Sequence, residues 1–191
     1  MRPCDNFAAE MIPIRLIISV AIIAAIAVLV WAGMGVLRTS LGEHEVEQQC
    51  QQLQSTLCTM VQSGVARDLD ECNAAEGTKR MHTFTLPDSL VYLSFGGDPD
   101  ARNTGVLHPG LTEDGSAIFY KIQGGSKKVI WLPEGSYRFR DGRWSNGAWT
   151  LNEEGCSYII HHGGSIPLEF ELVQKNHVVY ILVHGNDEIE K

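Results

Sequence analysis

Hydrophobic and polar positions follow three different rhythms along this chain, one after another. The first has no rhythm at all: from Leu16 to Leu37, LIISVAIIAAIAVLVWAGMGVL, there is no charge and Ser19 is the only polar side chain. At helical rise this run reaches roughly 33 Å, enough to cross a hydrocarbon layer of roughly 30 Å. It exceeds the usual apolar core of a cleaved signal peptide, and Asp5 and Glu10 stand in the segment before it. A transmembrane anchor over 16–37 is therefore expected.

The second rhythm has the helical period. From Leu41, Val46, Cys50, Leu53, Leu57, Met60 and Val61 fall on one stripe, while Glu43, Glu45, Glu47 and a run of glutamines face elsewhere. Gly64 is a natural stop. The pattern predicts one long helix, partly in lipid and partly out, whose outer half packs against a domain. A short dimerising coiled coil is the alternative, although about three heptads is the lower limit for one.

From about Thr78 the period becomes two. KRMHTFTL, SLVYLSFG, SAIFYKIQ, KKVIWLP, SYRFR, GAWTL, CSYIIHH, PLEFELV and HVVYILVHG read as strands. Turn signals separate them at Gly96-Gly97, Asp114-Gly115, Gly124-Gly125, Asp141-Gly142, Asn146-Gly147, Gly163-Gly164 and Lys175-Asn176. Leu168, Phe170 and Leu172 alternate with Glu169 and Glu171, as in a half-buried strand, whereas Val178–Val183 is apolar throughout, as in a strand covered on both faces. The expected fold class is α+β: a transmembrane helix extended by an amphipathic helix, then an antiparallel β-sandwich or barrel of about eight or nine strands. The corresponding segments are 1–15 (cytoplasmic), 16–37 (membrane), 38–77 (amphipathic helix and fold-back) and 78–191 (β-domain).

Charge and cysteines then place the domain. A formal net charge of -8 argues against a nucleic-acid partner. Arg2 and Arg15 precede the span and Arg38 follows it, a slight bias toward an inside N-terminus. Cys4 precedes the span; Cys50, Cys58, Cys72 and Cys156 follow it, which permits two disulfides in an oxidising exterior. Cys50 and Cys58 lie roughly 12 Å apart by helical rise, too far to bond to each other. A reversal near Gly64 would instead bring Cys72 to Cys58 and leave Cys50 for Cys156.

Candidate chemistry is sparse. Asp98, Asp100 and Asn103 supply oxygen ligands for a calcium ion, but the loop lacks the expected glycine and closing glutamate and contains Arg102. A solvated Asp-Pro turn is the simpler reading. Neighbouring His161 and His162 point to opposite sides of a strand and cannot share a metal. No serine-hydrolase, zinc-protease or phosphate-loop motif occurs, so neither catalysis nor a cofactor is expected. YRFRDGRWSNGAWTL offers a sugar-stacking surface, with Trp144 and Trp149 as rings (Trp131 a further one) and Arg140 and Arg143 as donors. In the same stretch Tyr137 and Phe139 alternate with arginines, which one buried strand face would also produce. Trp144, between two reversals, is expected to be the exposed ring.

A hydrophobic anchor running into a polar helix and then a β-domain resembles the architecture of type IV pilins and archaellins. PIRLIISVAIIAAIAVLV, LPDSLVYLSFGGDPD, SAIFYKIQGGSKKVIWLPE and FELVQKNHVVYILVHGND, about half the chain, are similar to uncharacterised membrane-anchored or secreted proteins of methanogenic archaea. Ala9 and Glu10 fit a prepilin-type processing site; Pro13 and Arg15 depart from it. The apolar span, the arginine bias and the four thiols beyond it together lead to the expectation of a single-pass protein of the cell membrane with an extracellular C-terminal domain. It would hold lipid through residues 16–37 and meet an envelope protein, a filament or a glycan. A structural or interaction role is expected first, a pilin-like subunit second, and a carbohydrate-binding or enzymatic ectodomain third.

Overall fold

A computed structural model describes residues 6–71, 74–108, 116–132, 137–145, 147–152 and 157–185. Helix α1 runs Asn6–Ser63, and the chain divides into two compact units, Met1–Ser40 and Leu41–Lys191. In the first unit the apolar residues from Ile14 to Leu37 that are described stand exposed: Leu29 is 72% exposed and Trp31 77%. This helix is long and apolar enough to cross a membrane: its most apolar 18-residue window has a mean hydropathy of 2.8 and is 0% buried.

The second unit is built from the outer part of α1 and ten strands among the described residues. These are β1 (Arg67–Asp68), β2 (Lys79–Leu86), β3 (Leu90–Phe95), β4 (Ala117–Ile122), β5 (Lys128–Trp131), β6 (Tyr137–Ser145), β7 (Ala148–Leu151), β8 (Tyr158–Ile160), β9 (Gly164–Lys175) and β10 (Val178–Gly185). One sheet has the order β1-β9-β10-β6-β7, with β2 also on β9; the other has the order β5-β4-β3-β8. Together with the long N-terminal apolar helix this is an α+β chain. The expectation of purely antiparallel pairing is corrected, because β10 pairs β6 and β1 pairs β9 in parallel. Neither pair is joined by a hairpin, and only hairpins force antiparallel neighbours.

Period and burial agree closely on the helix. Val46, Cys50, Leu53, Leu57 and Met60 are all 0% exposed and join Phe84, Phe95, Phe139, Phe170, Leu172, Ile181 and Val183 in one core. Phe95, from the second sheet, sits 5.7 Å from both Phe139 and Phe170 of the first. The outer helix is thus a structural part of the β unit rather than a coiled coil. Its polar side works too: Gln49 exchanges two hydrogen bonds of 2.7 Å with the Thr85 backbone on β2, and Gln54 Nε2 donates to Trp131 O on β5 at 3.0 Å. Among the described residues each of these strands has a single partner strand, so the amides satisfy backbone groups on their other edges.

The bridges expected of the cysteines are not present among the described residues. Cys50 and Cys58 are free thiols, and Cys72 and Cys156 lie outside the described residues. Cys50 points into the core, where burial, and secondarily Glu47, push its thiol up to about 12.

Candidate functional site

The site begins at Asp141-Gly142, which is not the reversal its dipeptide suggests. β6 continues through it and changes partner: Tyr137–Asp141 pair β10, and Gly142–Ser145 pair β7. Glycine leaves room there: a Cβ would sit tightly against Trp149 Cε3 at 3.3 Å and touch His184 Cβ at 3.4 Å. The reversal comes only between paired Ser145 and Ala148, with Gly147 at φ +81°. The later turn also moves by one residue, since Asn176 and His177 both have positive φ between paired Lys175 and Val178.

The β6–β7 hairpin therefore lays Trp149 over the outer face of its own sheet, against Val173 and Leu182. That second layer explains why Tyr180 and Leu182 are apolar as well as Val179, Ile181 and Val183 on the core side. His184, 1% exposed, stacks on Trp149 at 3.9 Å and 11°, with neither ring nitrogen hydrogen-bonded. Burial lowers its pKa to about 4, Glu171 opposing and Lys79 reinforcing the shift, so the ring is neutral near pH 7.

Beside Trp149 opens a groove of about 940 Å³. Glu171, 1% exposed, forms its floor and accepts Arg67 Nε at 2.7 Å and Nη2 at 2.9 Å. Arg67 Nη2 also donates to Trp149 O at 2.7 Å, tying floor to wall. Trp144, 44% exposed, stands edge-on to Trp149 at 5.4 Å and 69°. Arg143, Lys175, Asp68, Glu71, Glu76 and Lys79 supply the rest of its charged lining.

Three of the four ligand candidates, Trp144, Trp149 and Arg143, thus come together, with Trp144 the exposed ring and Trp149 a buried wall. Arg140 does not join them. The strand alternation places its guanidinium over the Tyr180 ring, 5.4 Å from the centroid, where it donates to Phe139 O at 2.9 Å. Trp131 lies on the other sheet beside Phe119, so the three rings form no common platform. Arg67 and Glu171 carried no signal in the sequence. Glu171 reads as an outward residue of an alternating strand, and its partner, Arg67, arrives on the distant two-residue β1.

The calcium candidates are occupied by the protein itself. Asp98 accepts Lys127 Nζ at 2.6 Å, and Lys127 also reaches Asp100 O at 3.0 Å. Asp100 accepts the Thr104 and Gly105 amides at 2.6 and 3.1 Å, and Asn103 is a turn residue at φ 52°. An ammonium holds the position a cation would need, and no group of three metal-ligating side chains gathers among the described residues. No protein-family model, curated protein or solved structure matches the chain.

Proposed function

We propose that this chain is a single-pass cell-envelope protein. Residues 16–37 anchor it in lipid, and residues 78–191, curled as a β-sandwich against the outer helix, are displayed outside the cell in a structural or interaction role. One observation carries the reading: a fully uncovered apolar helix continues into a helix whose only apolar stripe is buried in the β unit. The first half needs lipid or an equivalent apolar surround, and the second half needs none. The resemblance to archaeal envelope proteins points the same way. Because the helix is continuous over Asn6–Ser63, a pilin-like filament core is the second reading.

Alkaline extraction of membranes and labelling of intact cells test the proposal. The chain is expected to stay in the pellet. A Thr83→Cys variant, on an exposed position of β2, is expected to react with an impermeant maleimide before lysis. Release by alkali rules out the anchor, and labelling only after lysis rules out the outward orientation. Recovery in sheared filaments with a trimmed N-terminus selects the second reading.

A further inference from the structure

The groove beside the Arg67–Glu171 pair combines three properties that together specify a ligand class. Its volume, about 940 Å³, lies inside the ~300–1,000 Å³ range of ligand sites. Its charges balance: Arg67, Lys79, Arg143 and Lys175 face Asp68, Glu71, Glu76 and Glu171. A polyanion or polycation gains no net field from such a lining. Its exposed ring is the Trp144 indole, 44% open and held edge-on by Trp149.

Arg143 and Lys175 line this groove without a salt-bridge partner among the described residues, so their donors are available to a ligand. The floor is already set, because Glu171 and Trp149 O are both held by Arg67. A groove with one flat apolar surface, rimmed by closely spaced donors and acceptors of both signs, matches a molecule with an apolar C–H face and a ring of hydroxyls.

We propose that the groove binds a neutral saccharide, one sugar ring lying on the Trp144 indole and its hydroxyls shared among Arg143, Lys175, Asp68 and Glu71. The inference rests on the reading of the β unit as an outward interaction domain and gives that domain its ligand. An added peptide strand fits less well, since Arg67 already takes the Trp149 carbonyl on the outer strand β7.

The test uses the full chain in a zwitterionic detergent, which carries no sugar headgroup, titrated with cellohexaose, maltohexaose and chitohexaose. Tryptophan fluorescence and calorimetry report binding. At least one probe is expected to saturate with a Kd of about 1 mM or tighter. Trp144→Ala is expected to weaken it about 3- to 10-fold, Trp144→Phe less, and Trp131→Ala, on the other sheet, not at all. An unchanged urea midpoint shows that the Trp144 variants remain folded. The proposal is overturned if none of the three probes saturates, if Trp144→Ala binds like the wild type, or if only heparin binds in a Trp144-dependent way. Membrane retention and outside labelling are measured separately, so failure here leaves the anchor reading standing.

Discussion

Replacing Arg67 by methionine removes the cation that covers Glu171 while keeping most of the side-chain volume. The carboxylate then keeps its burial, with a side chain only 2% exposed, and loses both charge-assisted hydrogen bonds; Trp149 O loses its donor as well. Removing one partner of a buried pair typically costs ~3–5 kcal/mol. Arg67 itself is 15% exposed at the groove, so water reaches the site and the lower end, about 3 kcal/mol, is expected. With a urea slope of ~1–3 kcal/mol/M the midpoint falls by about 1–3 M. The double variant Arg67→Met with Glu171→Leu removes both charges and is expected to return to within ~1 kcal/mol of the wild type. Urea denaturation in detergent, followed by tryptophan fluorescence, measures all three proteins. A single-variant loss below ~1 kcal/mol, the scale of exposed pairs, refutes the buried-pair reasoning. So does a double variant no more stable than the single one.

Leu57→Ala, on the buried stripe of the outer helix, is expected to cost ~2–5 kcal/mol. Leu41→Ala, 66% exposed, is expected to stay within ~0.5 kcal/mol; equal effects in the same denaturation assay would contradict the packing of this helix. His184 is neutral when folded and protonates more readily when unfolded, so its contribution is complete above pH ~6.5 and is lost as pH falls toward about 4. Over that window the wild type is expected to lose roughly 2–3 kcal/mol more than His184→Phe; parallel pH profiles would dismiss the effect. Native iodoacetamide labelling is expected to modify Cys58 and spare Cys50 until urea unfolds the chain. Equal rates, or a Cys50 disulfide in a non-reducing peptide map, would show that the thiol is not a buried core residue. Gln49→Ala is expected to cost ~1 kcal/mol through the lost Thr85 bonds, and unchanged protection of the Thr85 amide in hydrogen exchange would argue against that edge contact.

The candidate site was half legible. Trp144, Trp149 and Arg143 lie within seven residues of one another, and a two-residue hairpin brings them together by local geometry alone. Arg140 stays outside the groove because β6 runs on through Asp141-Gly142, where the dipeptide alone suggests a reversal. A glycine after aspartate marks a turn when the backbone needs a positive φ, but Gly142 answers a different need, room for Trp149 and His184 from another strand. Arg67 and Glu171 are separated by over a hundred residues, and no local pattern records that one will cover the other. The surroundings of the calcium candidates are hidden for the same reason: Asp98 and Asp100 form a local cluster, while Lys127, which pairs with Asp98, comes from beyond the next strand.

What the sequence determined by itself are the features written in short periods. Uninterrupted apolarity makes a helix long and apolar enough to cross a membrane, a period near 3.6 buries Val46 through Met60 on one face, and a period of two marks the strands, because each depends only on residues within a few positions. Tertiary structure alone decided which strands pair in parallel, that the glutamines of the helix seal two sheet edges, and that the outer face of one sheet is covered by its own curled hairpin. It also decided that a strand glutamate is buried beneath Arg67, with an open indole beside it. Those are contacts between distant segments. Their energy is realised only when the chain has closed its loops, and so no stretch of sequence carries it alone.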